Sequence, residues 1–95
     1  MYLKIYRIDG ADKIAAACDR ELINTTIREG DIEITISDKF YGTQTATEDE
    51  LISVLRRVNN ANLIGKRVIA AAVGCGIIAE ENLIYVDGIP HATIL

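Results

Sequence analysis

The apolar residues of this chain change period along its length, and that change restricts the fold more than any other feature. Both ends alternate apolar with polar residues, as half-buried strands do; the middle repeats every three to four residues, as helices do. Tyr2 to Asp9 reads as a strand with mixed faces. Asp9-Gly10 is a turn signal, and Lys13 to Cys18 can pair back as the second strand of a hairpin. The Ala15-Ala16-Ala17 run is a weak strand former, so tertiary pairing must decide it. Asp19 is expected to cap one short helical turn, Arg20 to Ile23. Asn24 to Glu29 is polar and reads as irregular. Ile32, Ile34 and Ile36 then alternate with Glu33, Thr35 and Ser37, the cleanest half-buried strand in the chain.

Lys39 to Thr45 reads as a loop. Thr47 and Glu50 have the spacing of a capping box. Leu51, Ile52, Leu55 and Val58 follow at helical spacing, which predicts an amphipathic helix running to about Asn62. A second helix is expected from Gly65 to Cys75, with Gly76 as its C-cap glycine. Leu83 to Val86 and His91 to Ile94 read as strands joined by the Asp87-Gly88 turn. The expected order is β-β-(short α)-β-α-α-β-β. It predicts one α+β domain over 1–95, with a mainly antiparallel sheet and the two central helices packed on one face.

Ninety-five residues suffice for one core, and an apolar fraction of 49% argues against disorder. Net charge is −4, which disfavours nucleic acid as a partner and DNA above all. Arg56, Arg57, Lys66 and Arg67 form the densest basic stretch and are the positions where a local patch could bind RNA. Two distant cysteines, Cys18 and Cys75, and a single histidine give too few ligands for a zinc site, so neither metal nor cofactor is expected. Cys18 and Cys75 are expected to be reduced in a cytoplasmic protein. Charges interrupt the N-terminal apolar residues, so no signal peptide is expected, and the run Val68 to Val73 is far shorter than the ~20 residues of a membrane span.

Several residues carry chemistry, each with a plainer role beside it. His91 titrates near neutrality and follows a fixed turn; the plainer role is a histidine packed at a sheet edge. Cys18-Asp19, at a strand-to-helix junction, could activate a thiol, although an apolar run ending in cysteine more often buries it. Asn62-Leu63-Ile64-Gly65 precedes a helix and could present N–H groups to an anion; the simpler reading is an interhelix turn with Asn62 as N-cap. Tyr41, in the loop from Lys39 to Thr45, is either an exposed recognition aromatic or a packing residue, while Phe40 is expected to plug the core under the helix, with Gly42 allowing the turn. Arg28 could grip an anion or pair internally with Glu29 or Asp31.

Four of these stretches occur in a fixed order: Arg28-Glu29-Gly30, Phe40-Tyr41-Gly42, Asn62-Leu63-Ile64-Gly65 and Gly88-Ile89-Pro90-His91-Ala92. The ordered set runs from Arg28 to Ala92. It resembles a family of small archaeal proteins catalogued as domain of unknown function four-two-four. The resemblance implies an archaeal cytosolic protein, in a setting of translation or other information processing, with no reaction to carry over. It draws attention to Arg28, Tyr41, Asn62 and His91 as the polar residues of a shared binding surface, beside glycines and Pro90 with backbone roles. The end, Ala92-Thr93-Ile94-Leu95, is more apolar than the family pattern.

The leading expectation is a non-enzymatic binding or interaction module for a protein or ribonucleoprotein partner, with no membrane involvement. One alternative is a small enzyme or small-ligand protein with its site around Arg28, Tyr41, Asn62 and His91. Another is RNA binding through the basic stretch. Open sheet edges and the apolar Ile94-Leu95 favour a homo-oligomer.

Overall fold

A computed structural model describes residues 1–95. The protein is α+β with a mostly antiparallel sheet. Strands β1 (Tyr2–Ile8) and β2 (Ala11–Cys18) form the first hairpin, and a 3-10 turn follows at Arg20–Leu22. Strands β3 (Thr25–Glu29) and β4 (Ile32–Ile36) form a separate second hairpin. Helices α1 (Asp38–Tyr41) and α2 (Glu48–Leu55) lead into β5 (Asn60–Ile64), and helix α3 (Lys66–Gly74) follows. A 3-10 turn at Glu80–Asn82 precedes β6 (Ile84–Val86) and β7 (Ile89–Ile94).

The main sheet has the order β1-β2-β5-β7-β6. Only β2 and β5 run parallel; the other three pairings are antiparallel. The capping box of α2 forms as its sequence predicts: Glu50 N–H donates to Thr47 Oγ1 and Thr47 N–H donates to Glu50 Oε1. Helices α2 and α3 cover one face of the sheet. Leu51, Val54, Leu55, Val68 and Ala72 pack there against Leu3, Ala15, Ala17, Leu63 and Ala92. Each large aliphatic side chain buried in this way contributes roughly 1.5–3 kcal/mol. The second hairpin and α1 cover part of the opposite face, with Ile27, Ile36 and Tyr41 over Ala16, Cys18, Ile64 and Val86.

Three elements depart from the expected order. The central strand β5 stands where a helix end and interhelix turn were expected. Asn60-Ala61-Asn62 has turn-like composition, but β5 is hydrogen-bonded on both sides, to β2 and β7, and this tertiary pairing overrides local preference. The segment expected to be irregular, Asn24 to Glu29, supplies β3. Its partner β4 supplies the ladder, and Gly30 at φ 59° closes the two-residue turn. Ser37 Oγ accepts from Lys39 N–H and starts the short helix α1 inside the expected loop. The weak strand former Ala15-Ala16-Ala17 is a strand for the same reason as β5: it lies inside the sheet, layered on both faces, and all three alanines are fully buried.

Candidate functional site

Sheet register brings two of the candidate residues together. Asn62 pairs across to Thr93 and Ile64 pairs to His91, so Asn62 and His91 are diagonal neighbours on the face opposite α2 and α3. Helix α1 brings the third. Tyr41 is 4% exposed and its ring lies over Ala16 and Cys18. Its hydroxyl donates to Asn62 Oδ1 at 2.7 Å. His91 Nε2 lies 3.3 Å from the same oxygen. A carboxamide oxygen only accepts, so this contact requires the proton on Nε2. One oxygen therefore receives two donors, which locks the amide. No buried side-chain nitrogen or oxygen in the protein lacks a partner. Asn62 Nδ2 and His91 Nδ1 have no protein partner, so both are open to solvent. The result is a fixed donor beside a fixed acceptor.

The array is electrically neutral. Burial raises the Tyr41 hydroxyl above the ordinary tyrosine range, and Cys18 and Tyr6 add to the effect. Burial lowers His91 from 6.5, so the imidazole is uncharged at neutral pH. Cys18 lies on the same face and is pushed up to about 11 by burial and by the neighbouring Asp19 charge. At neutral pH this holds the thiol protonated, which argues against the activated thiol considered for Cys18-Asp19.

Aromatic side chains border this array. Tyr41, left open between surface and core, is buried, and Phe40, expected in the core, is 40% exposed. Phe40 stacks on Tyr6 at 5.8 Å and meets Tyr41 edge-on at 4.9 Å. The Tyr6 hydroxyl donates to the Phe40 carbonyl, and the Lys4 ammonium sits 5.2 Å from the Tyr6 ring centre. The first strand carries no mark that sets Tyr6 apart from Tyr2; only the pairing of β1 with β2 puts it beside α1.

Arg28 does not join the other three. Ile27 faces the core, so Arg28 faces solvent, where Nε pairs with Glu33 Oε2 at 2.6 Å across the hairpin. Glu33 takes the place of the expected Glu29 or Asp31. Glu29 instead accepts from the Asp87 N–H and ties the second hairpin to the β6–β7 turn. The basic stretch also divides. Arg56 and Arg57 precede β5, while Lys66 and Arg67 follow it, so the pairs lie at opposite ends of a strand roughly 16–17 Å long. Arg57 is further held by Asp12, Nε to Oδ2, at 2.9 Å.

The N–H groups at the start of the second helix, which could have met an external anion, are taken by a carboxylate of the chain itself. Asp19 does not cap its own 3-10 turn. Its carboxylate reaches α3, where Oδ2 accepts from Arg67 N–H at 3.0 Å and Oδ1 from Val68 N–H at 2.9 Å. Two of the orphan donors of α3 and its dipole are thereby satisfied by a residue from the end of β2. Gly65, at φ 115°, makes room: a Cβ there would overlap the Asp19 carboxylate. The sequence signal for this was an aspartate closing an apolar strand together with a glycine opening a helix.

No group of three histidine, cysteine or acidic side chains is placed to hold a metal ion. No helix is long and apolar enough to cross a membrane. A concavity of about 850 Å³ lies away from Asn62 and His91, between β1 and α2.

A family model described as "Protein of unknown function (DUF424)" matches residues 6–95. Among solved structures, the fold is similar to that of an uncharacterized conserved protein from Methanopyrus kandleri. The TM-score is 0.79 at 19% identity, over 98% of this chain and 88% of that one. No curated protein matches.

Proposed function

This chain belongs to the DUF424 family of proteins of unknown function, and from that premise we propose that it is a non-enzymatic binding module. Its contact surface is the sheet face where Asn62 and His91 meet, bordered by Tyr6 and Phe40. The observation that carries this reading is the double acceptance at Asn62 Oδ1. It fixes a neutral donor and a neutral acceptor at the surface before any ligand arrives, which lowers the ordering cost of recognition. Tyr41 is a positioning residue, since its hydroxyl is spent on Asn62. Arg28 belongs to a different surface.

A small enzyme at the same residues is the weaker reading. Tyr41 and Cys18 are held protonated, and no carboxylate orients His91, so proton transfer lacks a poised partner. Electrostatic RNA binding is weaker still, because the basic stretch is divided and Arg57 is engaged. The partner is a protein or ribonucleoprotein in the cytoplasm of an archaeal cell. Two unpaired cysteines and the Methanopyrus kandleri neighbour support that setting. Exposed Ile84 and Tyr85 on the edge strand β6 support a homodimer as a further association.

The test is retention from an extract of the native host on immobilised wild type, Asn62→Ala and His91→Phe, each shown to be folded by circular dichroism. Bound material is read by mass spectrometry and RNA sequencing. A species held by the wild type and lost from both variants is expected. Identical retention on all three would contradict the reading.

A further inference from the structure

Strand β1 is an edge of the main sheet, and only its first half is covered. Tyr2 bridges Thr45; Leu3 N–H donates to the Gln44 carbonyl and Ala46 N–H donates to the Met1 carbonyl, each at 3.0 Å. That pattern directs the backbone groups of Leu3 away from β2. By strand alternation those of Ile5 also point outward, beyond the reach of the 44–46 segment. The free backbone of Ile5 opens onto the groove of about 850 Å³ between β1 and α2. Leu3, Ile5, Ala46 and Val54 supply its apolar lining.

The groove has opposite charges at its two ends. Helix α2 begins beside the start of β1, so Asp49 and Glu50 stand at that end. Arg7 and Arg57 stand at the other. They share a single counter-charge, Asp12, with Nε distances of 2.7 and 2.9 Å, which leaves that end net positive. An edge strand with unpaired backbone groups, beside a groove under a helix, is the arrangement used for strand addition.

We propose that the β1–α2 groove binds an extended peptide segment of a partner protein. The segment adds to the sheet at Ile5, places alternate apolar side chains in the groove, and sets an acidic residue against Arg7 and Arg57 and a basic one near Asp49. This surface is separate from the one around Asn62 and His91.

The experiment is selection from a random library of displayed peptides about eight residues long, a length that spans one groove of this kind. The selection uses wild-type protein and counter-selects against Ser53→Trp. Ser53 is exposed on α2 and lines the groove, so the indole blocks it without disturbing the core. Selected peptides are expected to alternate apolar residues and to carry Asp or Glu at one end. They shift the amide resonances of Ile5 and Arg7, and Ser53→Trp weakens them by at least ~10-fold. Ile5→Pro, which removes the outward N–H while leaving the β2 ladder intact, should weaken them similarly. Failure to enrich any peptide would overturn the proposal. So would peptides that bind Ser53→Trp equally, peptides that shift Asn62 and His91 instead, or a groove filled by a second copy in sedimentation runs.

Discussion

Replacing Asp19 with alanine tests how the two halves of the domain are joined. Asp19 is 3% exposed, and its two oxygens accept the Arg67 and Val68 N–H groups at the start of α3. An ordinary N-cap replacement costs about 0.5–2 kcal/mol. Here one residue serves two donors, and Val68 is fully buried, so its N–H cannot turn to water. An unsatisfied buried donor adds about 1–3 kcal/mol. Together these give a loss of roughly 2–4 kcal/mol for Asp19→Ala, and about half that for Asp19→Asn, which keeps one acceptor. In a domain of this size that lowers Tm by about 10–25 °C, measured by circular dichroism with urea unfolding as a check. Gly65→Ala supplies the internal control. With Asp19 present, its Cβ meets the carboxylate as well as a glycine-only backbone; with Asp19→Ala only the backbone strain remains. The double variant is therefore expected to be more stable than the sum of the two losses, by about 1 kcal/mol or more. A loss below about 0.5 kcal/mol for Asp19→Ala, or strict additivity, would refute the capping argument.

Three further outcomes follow from the same geometry. Tyr41→Phe removes the donor to Asn62 and should cost about 1 kcal/mol in unfolding experiments, with the Asn62 side-chain amide resonances shifted. Burial holds the folded His91 below 6.5, so the unfolded chain takes up a proton that the folded one resists. Stability contributed by His91 is therefore complete above the unfolded value and declines as pH falls toward the folded one; His91→Gln should lose that slope in urea titrations. The Arg57 hydrogen bond is the main cause of the depressed Asp12 pKa, with Arg7 contributing, so Arg57→Gln should raise it toward 3.8 in a carboxyl NMR titration.

Much of this fold was legible because local chemistry and tertiary contacts agree. The capping box at Thr47 and Glu50 and the Asp9-Gly10 and Asp87-Gly88 turns act as their spacing predicts, and Ile32 to Ile36 forms the expected strand, with Ile36 buried and Ile32 left exposed. The central strand was hidden because Asn60 and Asn62 place polar side chains on a face that the second hairpin leaves partly open, so no apolar run marks it. Phe40 departs from expectation, and Tyr41 could not be decided, because a four-residue helix that local spacing does not predict settles which ring turns inward. Of the four residues singled out for a shared surface, Asn62 and His91 meet because β5 and β7 are paired, and α1 brings Tyr41 onto Asn62. Arg28 does not join them, because Ile27 takes the inward position of β3.

The account rests on the Tyr41–Asn62–His91 array being uncharged and set in advance. Long-range proton–nitrogen correlation of His91 at neutral pH measures this directly. The neutral ring with its proton on Nε2 is the expected state, unchanged in the absence of ligand. A proton on Nδ1, or a doubly protonated ring at that pH, would mean that Asn62 Oδ1 does not hold the histidine and that the surface is not the one described.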